Sequence, residues 1–231
     1  MIKTVLNWSS GKDAALAYHL LKQDDKYDVV SLLTTINADK DRVVMHGVRE
    51  ELLDMQAERM GLPLKKVHLP PSPGHDVYNN AMANVLAELK EMGITISAFG
   101  DIFLEDLKKY REEQLAKAGY TGVFPVWGKK TSDMIQDIED VGIETVIVCV
   151  NEAVLGKEFL GRKVDRSLLN DLPPDVDPCG ENGEFHTFVY NAPYFSSPMP
   201  VQQGEVVHRT YPGTDPDTGK GYGFYFLDLH L

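Results

Sequence analysis

The stretch Asn7-Trp8-Ser9-Ser10-Gly11-Lys12-Asp13-Ala14 constrains this chain more than any other. It follows the apolar run Thr4-Val5-Leu6 and precedes Ala15-Leu16-Ala17-Tyr18-His19-Leu20-Leu21, which reads as a helix. A strand that turns through small hydroxyl residues into a helix leaves the first helical N–H groups facing an anion. Gly11 lets the backbone approach a phosphate closely, Ser9 and Ser10 add hydroxyl donors, and Lys12 adds a full positive charge. Asp13 suits the first helical turn, where a carboxylate opposes the dipole. The pattern predicts a phosphate cradle at residues 9–13.

Two common cradles are excluded. A Walker loop needs a glycine five residues before its Gly-Lys pair and a Ser or Thr after the lysine, and Leu6 and Asp13 occupy those places. The dinucleotide fingerprint needs three glycines, and Gly11 is the only one in the loop. The stretch resembles the Ser-Gly-Gly-Lys-Asp-Ser loop of the PP-loop ATP pyrophosphatases, which split ATP into AMP and pyrophosphate. Ser10 stands where that pattern has its first glycine, and Ala14 where it has its last serine.

Beyond the loop, strand and helix patterns alternate. Strands are expected at 27–34, 64–69, 96–99 and 121–126, and helices at 47–60, 76–92 and 104–118, with a polar loop over 36–46. Such alternation implies an α/β fold with a parallel sheet and right-handed crossovers, whose ligands bind beyond the carboxyl ends of the strands. The phosphate loop and Gly100-Asp101 both leave such ends, so they belong on one rim. After Trp127 the pattern changes: a helix at 130–141, a strand at 144–150, irregular sequence over 151–184, then strand-like pieces at 185–190, 204–210 and 222–230. This reads as a PP-loop ATP-binding domain over 1–127 and a smaller mixed α+β domain over 128–231, with Phe124 and Trp127 packing between them. Gly219-Lys220-Gly221-Tyr222-Gly223 follows no strand and reads as a turn.

The net charge of −12 is spread along the 231 residues, which weighs against broad nucleic-acid or anionic-membrane binding. No apolar run approaches a membrane span and the N-terminus starts as a strand, so a cytoplasmic location is expected. Cys149 and Cys179 share no ligand spacing, and Cys149 sits in an apolar strand as a core residue.

Two further clusters carry chemistry. Asp101, between a strand end and a helix start, is a candidate for the magnesium that accompanies ATP phosphates, and the alternative is a helix cap. Glu105 and Asp106 suit the helix dipole. Pro178-Cys179-Gly180-Glu181-Asn182-Gly183-Glu184-Phe185-His186-Thr187 packs acid, amide, thiol and imidazole groups between two glycines. Glu181 and Glu184 are candidates for a base or an ammonium ligand, and Cys179, Gly180, Asn182 and His186 for acceptor contacts. Lying outside the nucleotide sheet, this cluster is expected to meet the acceptor without disturbing ATP. His46, next to Gly47 near the nucleotide rim, is a candidate for adenine or phosphate, and equally for a cap position.

Together, Ser-Ser-Gly-Lys-Asp, Gly-Asp-Ile-Phe, Pro-Val-Trp-Gly and the 178–188 stretch resemble the diphthine–ammonia ligase family of N-type ATP pyrophosphatases. The resemblance runs from residue 3 to about 195. Asn182, Phe185 and His186 replace that family's Gly, Tyr and Glu, a form similar to its bacterial branch. It implies an adenine nucleotide alpha hydrolase-like domain and an enzyme using ATP and Mg2+. It further implies that a carboxylate acceptor is adenylated and then amidated by ammonia; the partners expected are ATP, ammonia and that acceptor, with a homo-oligomer left open. Lys12 would act on the leaving pyrophosphate and Ser9, Ser10, Gly11, Asp13, His46, Gly100 and Asp101 would hold the nucleotide. Alternatives are an ATP pyrophosphatase with a small-molecule or tRNA acceptor, an ATP-binding sensor without turnover, and simple ATP hydrolysis.

Overall fold

The computed structural model describes residues 1–39, 42–43, 46–71, 73–211 and 221–231. Five strands make a parallel sheet: β1 (Ile2–Asn7), β2 (Tyr27–Asn37), β4 (Leu64–Leu69), β5 (Ile96–Ala98) and β6 (Thr121–Val123). β1 pairs with β2 and β5, β2 with β4, and β5 with β6. The crossovers are α1 (Lys12–Gln23), α2 (Glu50–Met60), α3 (His75–Glu91) and α4 (Glu105–Ala118). The expected α/β class is therefore the observed one.

Alternation along β1 sends neighbouring side chains to opposite faces. Leu6 joins a core with Leu16 of α1 and Leu52 and Leu53 of α2, whereas Val5 joins a second core with Leu86 and Leu89 of α3 and Leu115 of α4. Leu32 and Leu33 of β2 divide in the same way. With both faces covered, the central strands β1 and β2 carry buried runs at Thr4–Leu6 and Ser31–Thr34 in place of strict alternation.

One element was hidden in the polar loop. β3 (Arg42–Val43) pairs antiparallel with Ile36 and Asn37 at the end of β2. β4 lies along the same part of β2, so β3 must take the other edge, the one β1 vacates when it turns into the phosphate loop after Asn7. A two-residue strand in polar sequence has too little period to be seen. Among the residues that follow, His46 lies against Gly11 of the loop.

The chain continues through α5 (Thr131–Val141) into β7 (Glu144–Asn151), α6 (Leu168–Asp171), β8 (Phe185–Asn191), β9 (Gln202–Tyr211) and β10 (Tyr222–His230). The strands form an antiparallel sheet ordered β8-β7-β10-β9. Ile135 and Ile138 of α5, Ile147 of β7 and Phe188 of β8 bury into the same core as Leu6 and Leu16, so the two sheets share one apolar interior. Asp228 of β10 pairs with Arg42 at 2.9 Å and with Arg49 at 2.6 Å, tying the β3–α2 turn to the second sheet. Phe124 stacks on Phe99 at 5.4 Å within the second core of the first sheet, so it packs inside that unit and not between the two. The turn read at 219–223 begins outside the described residues.

Candidate active site

The carboxyl ends of β1 and β5 open into a cavity of about 460 Å³. Its walls come from both halves of the chain: Ser9, Lys12 and Asp13 on one side, Cys179, Glu181 and His186 on the other. The first helical hydrogen bond of α1 runs from Ala15 N–H to the Gly11 carbonyl at 3.1 Å, so the N–H groups of Lys12, Asp13 and Ala14 have no acceptor within the helix. Lys12 N–H is satisfied by Thr187 Oγ1 of β8 at 3.1 Å. Asp13 and Ala14 line the cavity.

Lys12 is almost wholly buried, and its ammonium donates to the Cys179 carbonyl and, at 3.0 Å, to Asp13 Oδ2. Burial by itself would lower its pKa, but Asp13, by charge and hydrogen bond, and Glu181 help to outweigh that and raise it, so the side chain stays charged. Ser10 and Gly11 do not face the cavity, contrary to the expectation for them. Ser10 is fully buried with a left-handed φ of 76°, and its hydroxyl has no partner. Gly11 packs under the loop, where an added Cβ would come within 3.0 Å of His46 Cε1.

The facing wall is a self-braced loop. Asp177 Oδ2 accepts the N–H groups of Cys179 and Glu181 at 3.0 and 3.1 Å. Glu184 accepts the N–H groups of Asp177 and Asn182 and the Asn182 side-chain amide, all within 3.1 Å. Gly180 sits at a φ of 69°, where a Cβ would lie 2.6 Å from the Phe185 carbonyl, so only glycine closes this turn. Glu184 is therefore a brace: its oxygens are spent inside the loop and it does not reach the cavity. Asn182 likewise serves Glu184 and is absent from the cavity wall.

Glu181 differs from Glu184. It lines the cavity and reaches across to accept the Ile102 N–H at 2.8 Å. Burial, with Asp13 and Asp101 adding repulsion, pushes its carboxyl up to about 7. Cys179 is buried, its thiol donates to the Thr131 carbonyl at 3.4 Å, and burial raises its pKa, which leaves it a neutral wall residue. His46 and His186 face each other with ring centroids 4.6 Å apart. His46 Nδ1 is 3.1 Å from the Thr187 carbonyl, and burial lowers its pKa to about 4. His186 Nε2 is buried without a partner.

Gly100 approaches the start of α1 so closely that a Cβ there would sit 2.8 Å from Ala14 N. Asp101 lines the cavity, but Arg111 of α4 spans its carboxylate, with Nε 2.7 Å from Oδ2 and Nη2 3.4 Å from Oδ1. The reading of Asp101 as a magnesium ligand thus meets a competitor, because the guanidinium already supplies its carboxylate with a counter-charge. Among the described residues, no three His, Cys, Asp or Glu side chains converge as a metal-binding group.

The structure thus gathers Ser9, Lys12, Asp13, His46, Gly100, Asp101, Cys179, Gly180, Glu181 and His186 around one cavity. It also places β8 directly against the loop at residues 9–13, so the two halves of the chain meet at the cavity. Val189 N–H donates to the Ser10 carbonyl at 2.9 Å. Sequence reasoning missed Thr187, Asp177, Arg111 and Gln56. Gln56 left a trace, since it is a glutamine among the buried residues of α2; the other three gave no signal apart from many exposed residues of their types.

A family model for the diphthamide synthase N-terminal domain matches residues 2–121, and one for the diphthamide synthase C-terminal domain matches residues 130–214. The chain belongs to the diphthamide synthase family. Among curated relatives, a diphthine–ammonia ligase of Bos taurus is 27% identical over 217 residues, covering 83% of this chain and 76% of the relative. One from Homo sapiens is 26% identical with the same coverage, and one from Danio rerio is 24% identical over 86% of each chain. Among solved structures, the U34-tRNA thiolase NcsA from Methanococcus maripaludis overlays 60% of this chain and 56% of its own, at 18% identity and a TM-score of 0.37. No helix among the described residues is long and apolar enough to cross a membrane.

Proposed function

We propose that this family member is an AMP-forming amide ligase of the diphthine–ammonia ligase kind, binding ATP in the cavity between Lys12 and Glu181. The observation that carries the reading is the meeting, in one cavity, of a charged lysine at a helix N-terminus and a carboxyl poised near neutrality. Residues 1–127 would hold the nucleotide and residues 128–231 would contribute the acceptor side.

In this scheme an acceptor carboxylate oxygen attacks the ATP α-phosphorus, and the bond to pyrophosphate breaks. Lys12 and the N–H groups at the start of α1 stabilise charge on the departing oxygens. Holding carboxylate and phosphate in line supplies roughly 7–11 kcal/mol of the barrier at best. Ammonia then attacks the acyl carbon, AMP leaves, and the nitrogen gives its surplus proton to the Glu181 carboxylate. A base with a pKa near the working pH is the efficient choice for that transfer. Glu181 is favoured over Glu184 because the Glu184 oxygens are already occupied by loop donors.

Incubation with ATP, an ammonium salt and candidate carboxylate acceptors, followed by chromatography of the nucleotides, tests the reading. The expected products are AMP and pyrophosphate, dependent on acceptor. ADP and phosphate as the main products would overturn it.

A further inference from the structure

We infer that Gln56 is a positioning residue that holds the phosphate loop in its binding conformation through the Ser10 carbonyl; this rests on the ATP reading above. Gln56 is fully buried on the inner face of α2, between Leu52, Leu53, Ala57 and Met60. A leucine or methionine would continue that apolar face without burying an amide. Burying one is costly unless its hydrogen bonds are met. Here they are: Oε1 accepts the Trp8 indole N–H at 2.8 Å, and Nε2 donates to the Val189 carbonyl at 2.7 Å and the Ser10 carbonyl at 3.2 Å. The amide therefore grips the loop on both sides of Ser9, the loop hydroxyl that lines the cavity.

Ser10 explains why a grip is needed. It is the only non-glycine residue with positive φ among the described residues, at 76°. L-residues disfavour that region and stay there only when their surroundings hold them. The Ser10 hydroxyl has no partner, so the side chain does not stabilise the turn. Its carbonyl is held from two directions, by Gln56 Nε2 and by Val189 N–H. The turn at Ser10 aims the following residues, Gly11 and Lys12, into the start of α1. Without the Gln56 donor, Ser10 relaxes toward ordinary φ and the loop loses its shape.

The test is a double-mutant cycle read by calorimetric titration with ATP. Gln56→Met is expected to weaken ATP binding at least about tenfold in the wild-type background, the scale of a lost preorganised contact. In the Ser10→Gly background the loss should shrink to about threefold or less, because glycine adopts the left-handed turn unaided. A role in packing alone would give the same loss in both backgrounds. Equal losses, or no loss in either, overturn the inference while leaving the ATP reading intact; a wild-type chain that binds no ATP overturns both. Should Gln56→Met not fold, Gln56→Glu keeps the shape and the Trp8 bond. A carboxyl has at most one O–H for the Val189 and Ser10 carbonyls that the amide serves together, so in the same cycle this variant should lose ATP affinity in the wild-type background and lose less beside Ser10→Gly. Equal losses in both backgrounds overturn the inference.

Discussion

The phosphate-loop wall of the cavity, residues 8–14, and the facing wall, residues 177–187, hold their polar groups by opposite means. The loop wall presents backbone N–H groups that exist because a strand turns into a helix, and its one cation, Lys12, extends from that turn. The facing wall turns several of its side chains inward: Asp177 and Glu184 bind their own backbone and Asn182 binds Glu184, whereas Glu181 reaches across to Ile102 and Thr187 to the Lys12 N–H. A loop without regular structure must satisfy its own donors before it can offer any group to a ligand. Residue types therefore pointed to the geometry of the first wall directly, but overstated the number of groups that the second turns to the cavity.

The sharpest way to break this comparison is Glu181→Gln, which removes a base while keeping size. Acceptor-dependent turnover is expected to fall by about 10²–10⁴, the usual worth of a positioned general base. ATP binding should stay within about threefold. The wild-type rate should also rise with pH through about 7, where the Glu181 carboxyl loses its proton, and the variant should lack that limb. Lost ATP binding in a folded variant would assign the second wall to the nucleotide and merge the two roles.

Lys12→Ala tests the first wall. Losing one charge-assisted phosphate contact should weaken ATP binding by more than about tenfold. Affinity equal to wild type would remove the loop from the site.

The smallest effect concerns the seam between the walls, where His46 meets the Thr187 carbonyl. Burial holds His46 at about 4 against an ordinary 6.5, so between those values the unfolded chain binds more protons than the folded one. Stability is then fully present above about pH 6.5 and declines as pH falls toward 4. Melting temperatures measured across that range should show the decline, and His46→Asn should lessen it. An identical slope in the variant would mean that the seam is wetter than its burial implies.

Regular periodicity made most of the fold legible: both cores follow from neighbours such as Val5 and Leu6 pointing to opposite faces of one strand. β3 escaped because two residues carry no period. Lys12, Asp13 and Gly100 were legible because each lies beside a strand end, where topology places ligands. Gln56 and Arg111 were not, since each acts on a partner 46 or 10 residues away that no local pattern names.

By itself the sequence determined an alternating parallel sheet, a strand-to-helix loop with Lys12 at the end of its first strand, and a polar cluster after residue 177. Those properties depend on spacing within about ten residues, where strand and helix geometry translate position directly into direction. Only the tertiary structure decided that β8 lies against the phosphate loop, that Arg111 claims Asp101, and that Glu181 rather than Glu184 faces the cavity. Such choices are made by competition for hydrogen-bond partners between segments far apart in the chain. A buried polar group takes the partner that packing brings to it.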